Sequence, residues 1–373
     1  MDGRTAGSGT RGGRAAARAS KDPIAIVVVG AHRSGTSAWT RVLNLLGADL
    51  PKTLIGGGPG NERGHWEPAR LVKIHDSMFD GITTRWDDWR ALDWDRLAPR
   101  QRAGYRRQIA GVIGEEFGRS PLMVIKDPRI CRLIPFYLPV FAHLSIDARF
   151  LIVLRNPLAV ASSHRRRDGM TLPFAGLLWL AQILDAERAT RRCRRSFASY
   201  EHLLADWRSA TRHAGKELAI PWRGSPQRAA AVDAYLSSEL EHFRFSRAEL
   251  DANTQISDWV KRAYGCLLRL QEHPLASNAA AELDDLRHCF YASARSLGEA
   301  VVAERVEREK QSHKTARKEA KLHATIRSRD SEIAALRARR AGREDRTQAT
   351  EDSVPHAIAP EQARGLRRSP RKV

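Results

Sequence analysis

The sequence predicts an α/β fold: a three-layer sandwich around a central parallel sheet, with a long C-terminal helix or coiled coil appended. Three observations predict it. The run IAIVVVG, residues 24–30, is apolar and β-branched and ends on glycine, as a strand buried on both faces does. Two more such runs, at 121–125 and 150–154, end on charged residues and alternate with helical stretches. From about Ala279 to Arg346 proline is absent and Ala, Glu, Lys and Arg dominate, which is the composition of a long helix.

Taken in order, residues 1–22 read as a disordered basic leader, rich in Gly, Ala and Arg with no apolar run behind the arginines. The first strand follows. SAWTRVLNLLG then carries apolar residues at Ala38, Val42, Leu45 and Leu46 and stops at Gly47, so it reads as a helix. Residues 51–66 are rich in Gly and Pro, a long loop of the kind that carries function. EPARLVKIHDSMFDGI begins the next helix, with Pro68 suited to its first turn. Trp66, Trp86, Trp89 and Trp94 cluster nearby, either as a substrate wall or as packing. PLMVIKDPR and ARFLIVLRNP supply the second and third strands, and charge gathers where they end, the place where parallel sheets bind ligands. MTLPFAGLLWLAQIL, 170–184, reads as a buried helix, because it falls short of the roughly 20 apolar residues of a membrane span. A short extended piece and a helix occupy 196–218, and 219–280 mixes helix and loop. Leu322, Ile326, Ile333 and Leu336 are spaced by four, seven and three, a heptad-like stripe. The expected units are thus 1–22, an α/β domain over 23–278, a helix or coiled coil over 279–346, and a disordered basic tail over 347–373.

Composition narrows the function. Of the 373 residues 42% are hydrophobic, enough for a sizeable core. Cys131, Cys193, Cys266 and Cys289 are scattered with no CxxC pair, which argues against a disulfide framework or structural zinc and fits a reducing, cytoplasmic setting. The net charge is +20. Nucleic-acid binding is one reading of it, but no nucleic-acid module is present, and arginine-rich tails on a core that handles small anions explain it more simply.

The loop after the first strand is the chief motif. Gly30 and Gly35 have the separation of a phosphate-binding P-loop, G-x-x-x-x-G-K-[ST], but Thr36 stands where the lysine belongs. That lysine reaches terminal phosphates, so its loss speaks against a nucleoside triphosphate. The rest of the device remains. Gly35 permits a tight turn, backbone amides and a helix N-terminus face an anion, Ser34, Thr36 and Ser37 add hydroxyls, and Arg33 adds a cationic fork. Such a P-loop-like turn suits one or two phosphate or sulfate groups.

GAHRSGTS, 30–37, resembles the loop that cradles the 5′-phosphosulfate in sulfotransferases using 3′-phosphoadenylyl sulfate (PAPS), in their bacterial branch. The resemblance implies that Gly30, His32, Arg33, Ser34, Gly35, Thr36 and Ser37 hold the donor, with Arg33 where a catalytic lysine often stands. Arg155, with Ser163 eight residues on, resembles the family's pair for the 3′-phosphate. NERGHWE (61–67), VIKDPR (124–129) and SYEHLLADW (199–207) resemble further family stretches, so the likeness covers about 24–245. The glycine-and-lysine loop that closes over the donor in cytosolic members is not evident. Arg244, or Arg165, Arg166 and Arg167, are the candidates for its role.

The resemblance implies sulfuryl transfer to a hydroxyl or amine with no metal required. Arg33 and Lys126 would stabilise the leaving phosphate. The histidine base of cytosolic members is missing: its place reads Lys126-Asp127-Pro128. Glu67 is the candidate base, unless it caps the helix that follows, and His65 is the reserve. Asp127 is expected to orient Lys126 or Arg129, and His75 and Asp76 to be structural. A glycan, a glycolipid or a small hydroxylated molecule is the expected acceptor, with a possible homodimer through the C-terminal helix and no transmembrane segment. Two other readings stand beside this one. A phosphotransferase would use Lys126 for the absent loop lysine and Asp127 for magnesium. A non-enzymatic interaction protein would act through its basic helix.

Overall fold

The computed structural model describes residues 22–58, 63–222, 224–236 and 243–351. The expected leader, Asp22 excepted, and the tail beyond Glu351 lie outside them.

Four strands, β1 (Ile24–Val29), β2 (Leu122–Lys126), β3 (Asp147–Leu154) and β4 (Arg194–Ser199), form one parallel sheet in the order β2-β1-β3-β4. Val27 pairs with Ile125 on one side and with Phe150 on the other. Alternation along β1 divides the core. Ala25, Val27 and Val29 face one hydrophobic layer, and Ile26 and Val28 face the other. Both faces are covered, so these strands read as continuous apolar runs.

On one face lie α1 (Thr36–Leu45), α7 (Tyr200–Ala205), α8 (Trp207–Glu217) and α9 (Pro226–Tyr235). The larger layer holds α2 (Ala69–Gly81), α3 (Pro99–Phe117), α4 (Ile130–His143), α5 (Pro157–Asp168) and α6 (Leu172–Thr190). It also takes in α10 (Arg247–Ala252) and α11 (Asp258–Glu272). The result is the three-layer, P-loop-like sandwich that the sequence predicts. The apolar stretch at 170–184 falls within α6, whose Leu178, Trp179, Leu180 and Leu184 are buried. Among the described residues no single helix is long and apolar enough to cross a membrane.

The last helix, α12, runs Ser277–Glu351. The expected boundary at 278 falls inside it. The first compact unit extends to Glu299, because Ala279, Leu283, Leu286, Phe290, Tyr291 and Ala294 on the first turns of α12 are buried in the core. Arg191 clasps these turns through Asp284 and the Ala280 carbonyl. The second unit, from Ala300 on, is a single helix through Glu351 with Leu322, Ile326, Ile333 and Leu336 exposed.

The chain returns from β2 to the opposite side of β1 to form β3. The connections therefore reverse between β1 and β3, and a crevice opens there at the carboxyl ends of the strands. The loop after β1 and Arg155 after β3 both lie at that crevice.

Candidate active site

The loop between β1 and α1 is shaped by contacts that only glycine tolerates. A Cβ on Gly35 (φ 86°) would fall into the Tyr200 ring, and one on Gly30 would meet the Val153 carbonyl at 2.7 Å. Arg33 between them is left-handed (φ 69°), and so is Trp66 (φ 57°) at the other rim. Non-glycine residues adopt this conformation only where their surroundings impose it, and such strain gathers at functional sites. No side chain caps the N-terminus of α1, so its first amides carry the positive end of the helix dipole.

The loop borders a cleft of about 450 Å³. Among the described residues its lining includes six cationic side chains, Arg33, Arg63, Lys126, Arg129, Arg155 and Arg167, and one carboxylate, Glu67. That balance selects an anion. Ten of the sequence-predicted residues border this one cleft: His32, Arg33, Gly35, Thr36, Ser37, His65, Glu67, Lys126, Arg155 and Ser163. Gly30 and Ser34 do not. Gly30 lies beneath, its N–H donating to Cys131 Sγ at 3.1 Å, and Ser34 is fully buried. Burial pushes the Cys131 thiol up to about 12, so it stays protonated and structural.

At one end of the cleft Arg33 Nε donates to Ser163 Oγ at 2.9 Å. Arg155 is 6% exposed, lies 4.8 Å from the Tyr200 ring centre, and donates to the Arg33 and Phe243 carbonyls at 3.0 and 2.9 Å. Its Nε is buried with no hydrogen-bond partner among the described residues. A buried guanidinium nitrogen without an acceptor is costly unless a ligand completes it.

Toward the opposite rim Lys126, the last residue of β2, spends its three donors on Glu67 Oε1 (2.7 Å), Ser37 Oγ (3.0 Å) and the His65 carbonyl (3.0 Å). It thus brings to the loop the ammonium that position 36 lacks. Glu67 is 7% exposed and also lies 3.6 Å from Arg129. Burial raises its carboxyl above the ordinary value, with Lys126 and Arg129 opposing and Asp127 assisting. Glu67 does not cap α2. Pro68 occupies the N-cap position, with no side-chain cap. His65, 3.9 Å from Glu67, is lowered to about 4 by burial and by the surrounding cations Lys126, Arg167, Arg33 and Arg129.

Asp127 supports this wall from below. It accepts from the Arg129 backbone N–H (2.9 Å) and guanidinium (3.1 Å), and its other oxygen lies 2.7 Å from His75 Nδ1. His75 Nε2 lies 2.6 Å from the Tyr137 hydroxyl. Burial pushes the Asp127 carboxyl up, but Arg129 and His75 hold it far below the usual carboxylate range. Asp127 therefore orients Arg129, and Asp76 holds the same guanidinium from outside at 2.9 Å.

The tryptophans divide. Trp86 borders the cleft with its ring 4.4 Å from His32, whereas Trp89 is buried beside Phe290 and Trp94 packs on Phe136. Of the arginines weighed for closing over the donor, Arg167 borders the cleft. Arg165 and Arg166 are exposed elsewhere, and Phe243 rather than Arg244 faces in. The sequence left Trp86 open between a substrate wall and packing, and it did not point to Tyr200, which borders the cleft, or to Gln182, which holds His32. Gln182 left a signal: it is the one polar residue within the apolar run LLWLAQIL.

Solved structures of sulfotransferase domains resemble this chain. One is the sulfotransferase domain from the Synechococcus PCC 7002 olefin synthase, at 17% identity and a TM-score of 0.35, over 60% of this chain and 90% of that one. Another is the sulfotransferase domain from the curacin biosynthetic pathway, at 15% identity and a TM-score of 0.36, over 72% and 99%. At these values the likeness carries no chemistry to this chain. No family model and no curated protein matches it.

Proposed function

We propose that this protein transfers a sulfuryl group from PAPS to a hydroxyl or amine, with a carbohydrate, a glycolipid or another hydroxylated small molecule as acceptor. The observation that carries this reading is the convergence of Arg33, Arg155 and Ser163 at one end of a cationic cleft, beside the uncapped N-terminus of α1. A phosphate suits that end: the unpartnered Arg155 Nε and the Ser163 hydroxyl supply donors of the right kind. PAPS, when bound, supplies an already activated phosphosulfate bond. The chain's own part is to bind, orient and move one proton. Arg33, Lys126 and the first amides of α1 are fixed positive groups for the charge that grows on the leaving phosphate. Glu67 takes the acceptor's proton, its basicity raised by burial, once Lys126 exchanges it for the ligand.

A phosphotransferase reading draws on one observation, the ammonium of Lys126 at the loop. Against it, Asp127 is committed to His75 and Arg129 rather than turned toward a metal site.

Calorimetry with adenosine 3′,5′-bisphosphate in the absence of magnesium tests the reading. The bisphosphate is expected to bind more tightly than ADP. Arg155→Ala is expected to lose at least tenfold in affinity, the worth of one hydrogen bond to a charged group. Preference for magnesium–ATP, with no bisphosphate binding by folded protein, overturns it.

A further inference from the structure

His32 is held by Gln182 in a way that fixes where its proton sits. The His32 backbone N–H donates to Gln182 Oε1 at 3.0 Å, and Gln182 Nε2 lies 2.9 Å from His32 Nδ1. A backbone N–H can only donate, so the amide oxygen must face it. The amide NH₂ is then the group that meets the ring, and it too can only donate. His32 Nδ1 must therefore accept, which puts the ring proton on Nε2 in the neutral imidazole. Gln182 is 1% exposed on α6 and His32 is 9% exposed, so neither is free to rearrange. The ring borders the cleft under Trp86, and Nε2 has no partner among the described residues.

We propose that Gln182 is a positioning residue that makes His32 a permanently neutral hydrogen-bond donor, whose Nε2–H reads a phosphoryl or sulfuryl oxygen of the bound ligand. In a cleft crowded with full cations, a neutral donor adds direction without adding charge. It also cannot take a proton from the acceptor, because the nitrogen turned to the cleft already carries one.

The surroundings keep the ring neutral. Arg129 and Asp127 on the β2–α4 turn, His164 on α5 and the Gln182 amide are the groups acting on it. Burial above all, then Arg129 and His164, hold its pKa well below the ordinary histidine value against the opposing pull of Asp127.

The inference rests on the proposed function only in taking the ligand to be an anion. Its test is nitrogen-15 NMR of the full chain labelled at histidine, with His32→Gln to identify the His32 signals. In the free protein Nδ1 should show as a bare nitrogen and Nε2 as protonated, unchanged between about pH 5 and 8. Gln182→Glu still accepts from the His32 N–H but presents an acceptor to the ring, so it should put a proton on Nδ1. Inorganic sulfate and adenosine 3′,5′-bisphosphate are then titrated in turn, with binding followed by calorimetry. The Nε2–H resonance should move downfield with each anion that binds, and His32→Phe, which keeps a ring but has no donor, should weaken that binding about tenfold. Sulfate binding with the shift but no bisphosphate binding would sink the sulfotransferase reading and leave this inference standing. A proton on Nδ1 in the wild-type protein, an Nε2–H indifferent to a bound anion, or binding of neither anion overturns it.

Discussion

Glu67 and His65 show how one cleft pulls two bases apart. Burial raises the Glu67 carboxyl, while burial and neighbouring cations lower His65 to about 4. A base works only when deprotonated, so activity falls as acid protonates it. If Glu67 is the base, the acid limb of kcat/KM lies above the ordinary glutamate value. If His65 is, the limb lies near 4. We expect the former, and we expect Glu67→Gln to lower turnover about 10²- to 10⁴-fold, abolish that limb and leave bisphosphate affinity within a few-fold. A limb near 4 that survives in Glu67→Gln transfers the role to His65. The base candidates, Lys126, Arg155 and Ser163 were all legible as residue types at motif spacings. Their bonds were not: nothing in NERGHWE says that Glu67 pairs with Lys126, 59 residues on, rather than capping α2.

At the scale of elements, the loop and the last helix carry the sharpest expectations. Gly35→Ala forces a left-handed alanine and drives its methyl into Tyr200. A cost of at least about 1–2 kcal/mol follows from the backbone alone, and calorimetric unfolding together with bisphosphate binding will show whether stability and site fall together. The first turns of α12 belong to the core, so Phe290→Ala should cost about 3–5 kcal/mol, as loss of a buried aromatic does. A chain ending at 299 should keep a cooperative unfolding transition, and one ending at 278 should lose it. Equal behaviour of the two truncations would contradict the packing described for Leu283, Leu286 and Phe290. The start of the helix was legible in composition. Its membership of two units was not, because Leu283 and Leu286 look much like Leu322 and Leu336 until their neighbours are known.

For the molecule as a whole, α12 leaves an apolar stripe exposed. Leu322, Ile326, Ile333 and Leu336 are 60%, 45%, 47% and 57% exposed on a helix whose spacing fits a heptad seam. We propose a two-stranded coiled coil between copies of this chain. Sedimentation equilibrium should then show a dimer, and Leu322→Glu with Leu336→Glu should shift it to monomer while leaving bisphosphate binding unchanged. A monomer at micromolar concentration refutes the seam. Basic side chains outnumber acidic ones along this helix, so a salt-dependent complex with nucleic acid is the outcome that would favour the interaction-protein reading instead.

The sequence by itself determined the sheet, the glycine-bounded turn after its first strand and the cationic character of the strand ends. Those follow from local patterns: β-branched runs buried on both faces, glycines needed for a turn, and arginines at strand ends. Only the tertiary structure decided which partner each charged group takes. Lys126 reaches the loop from β2, Arg155 settles on Tyr200 from β3, and Gln182 sets the proton of His32 from α6. The reason is physical. A strand's pattern is written in neighbours along the chain, but a buried hydrogen bond depends on distance in space, and residues 150 apart in sequence become partners only when the layers pack.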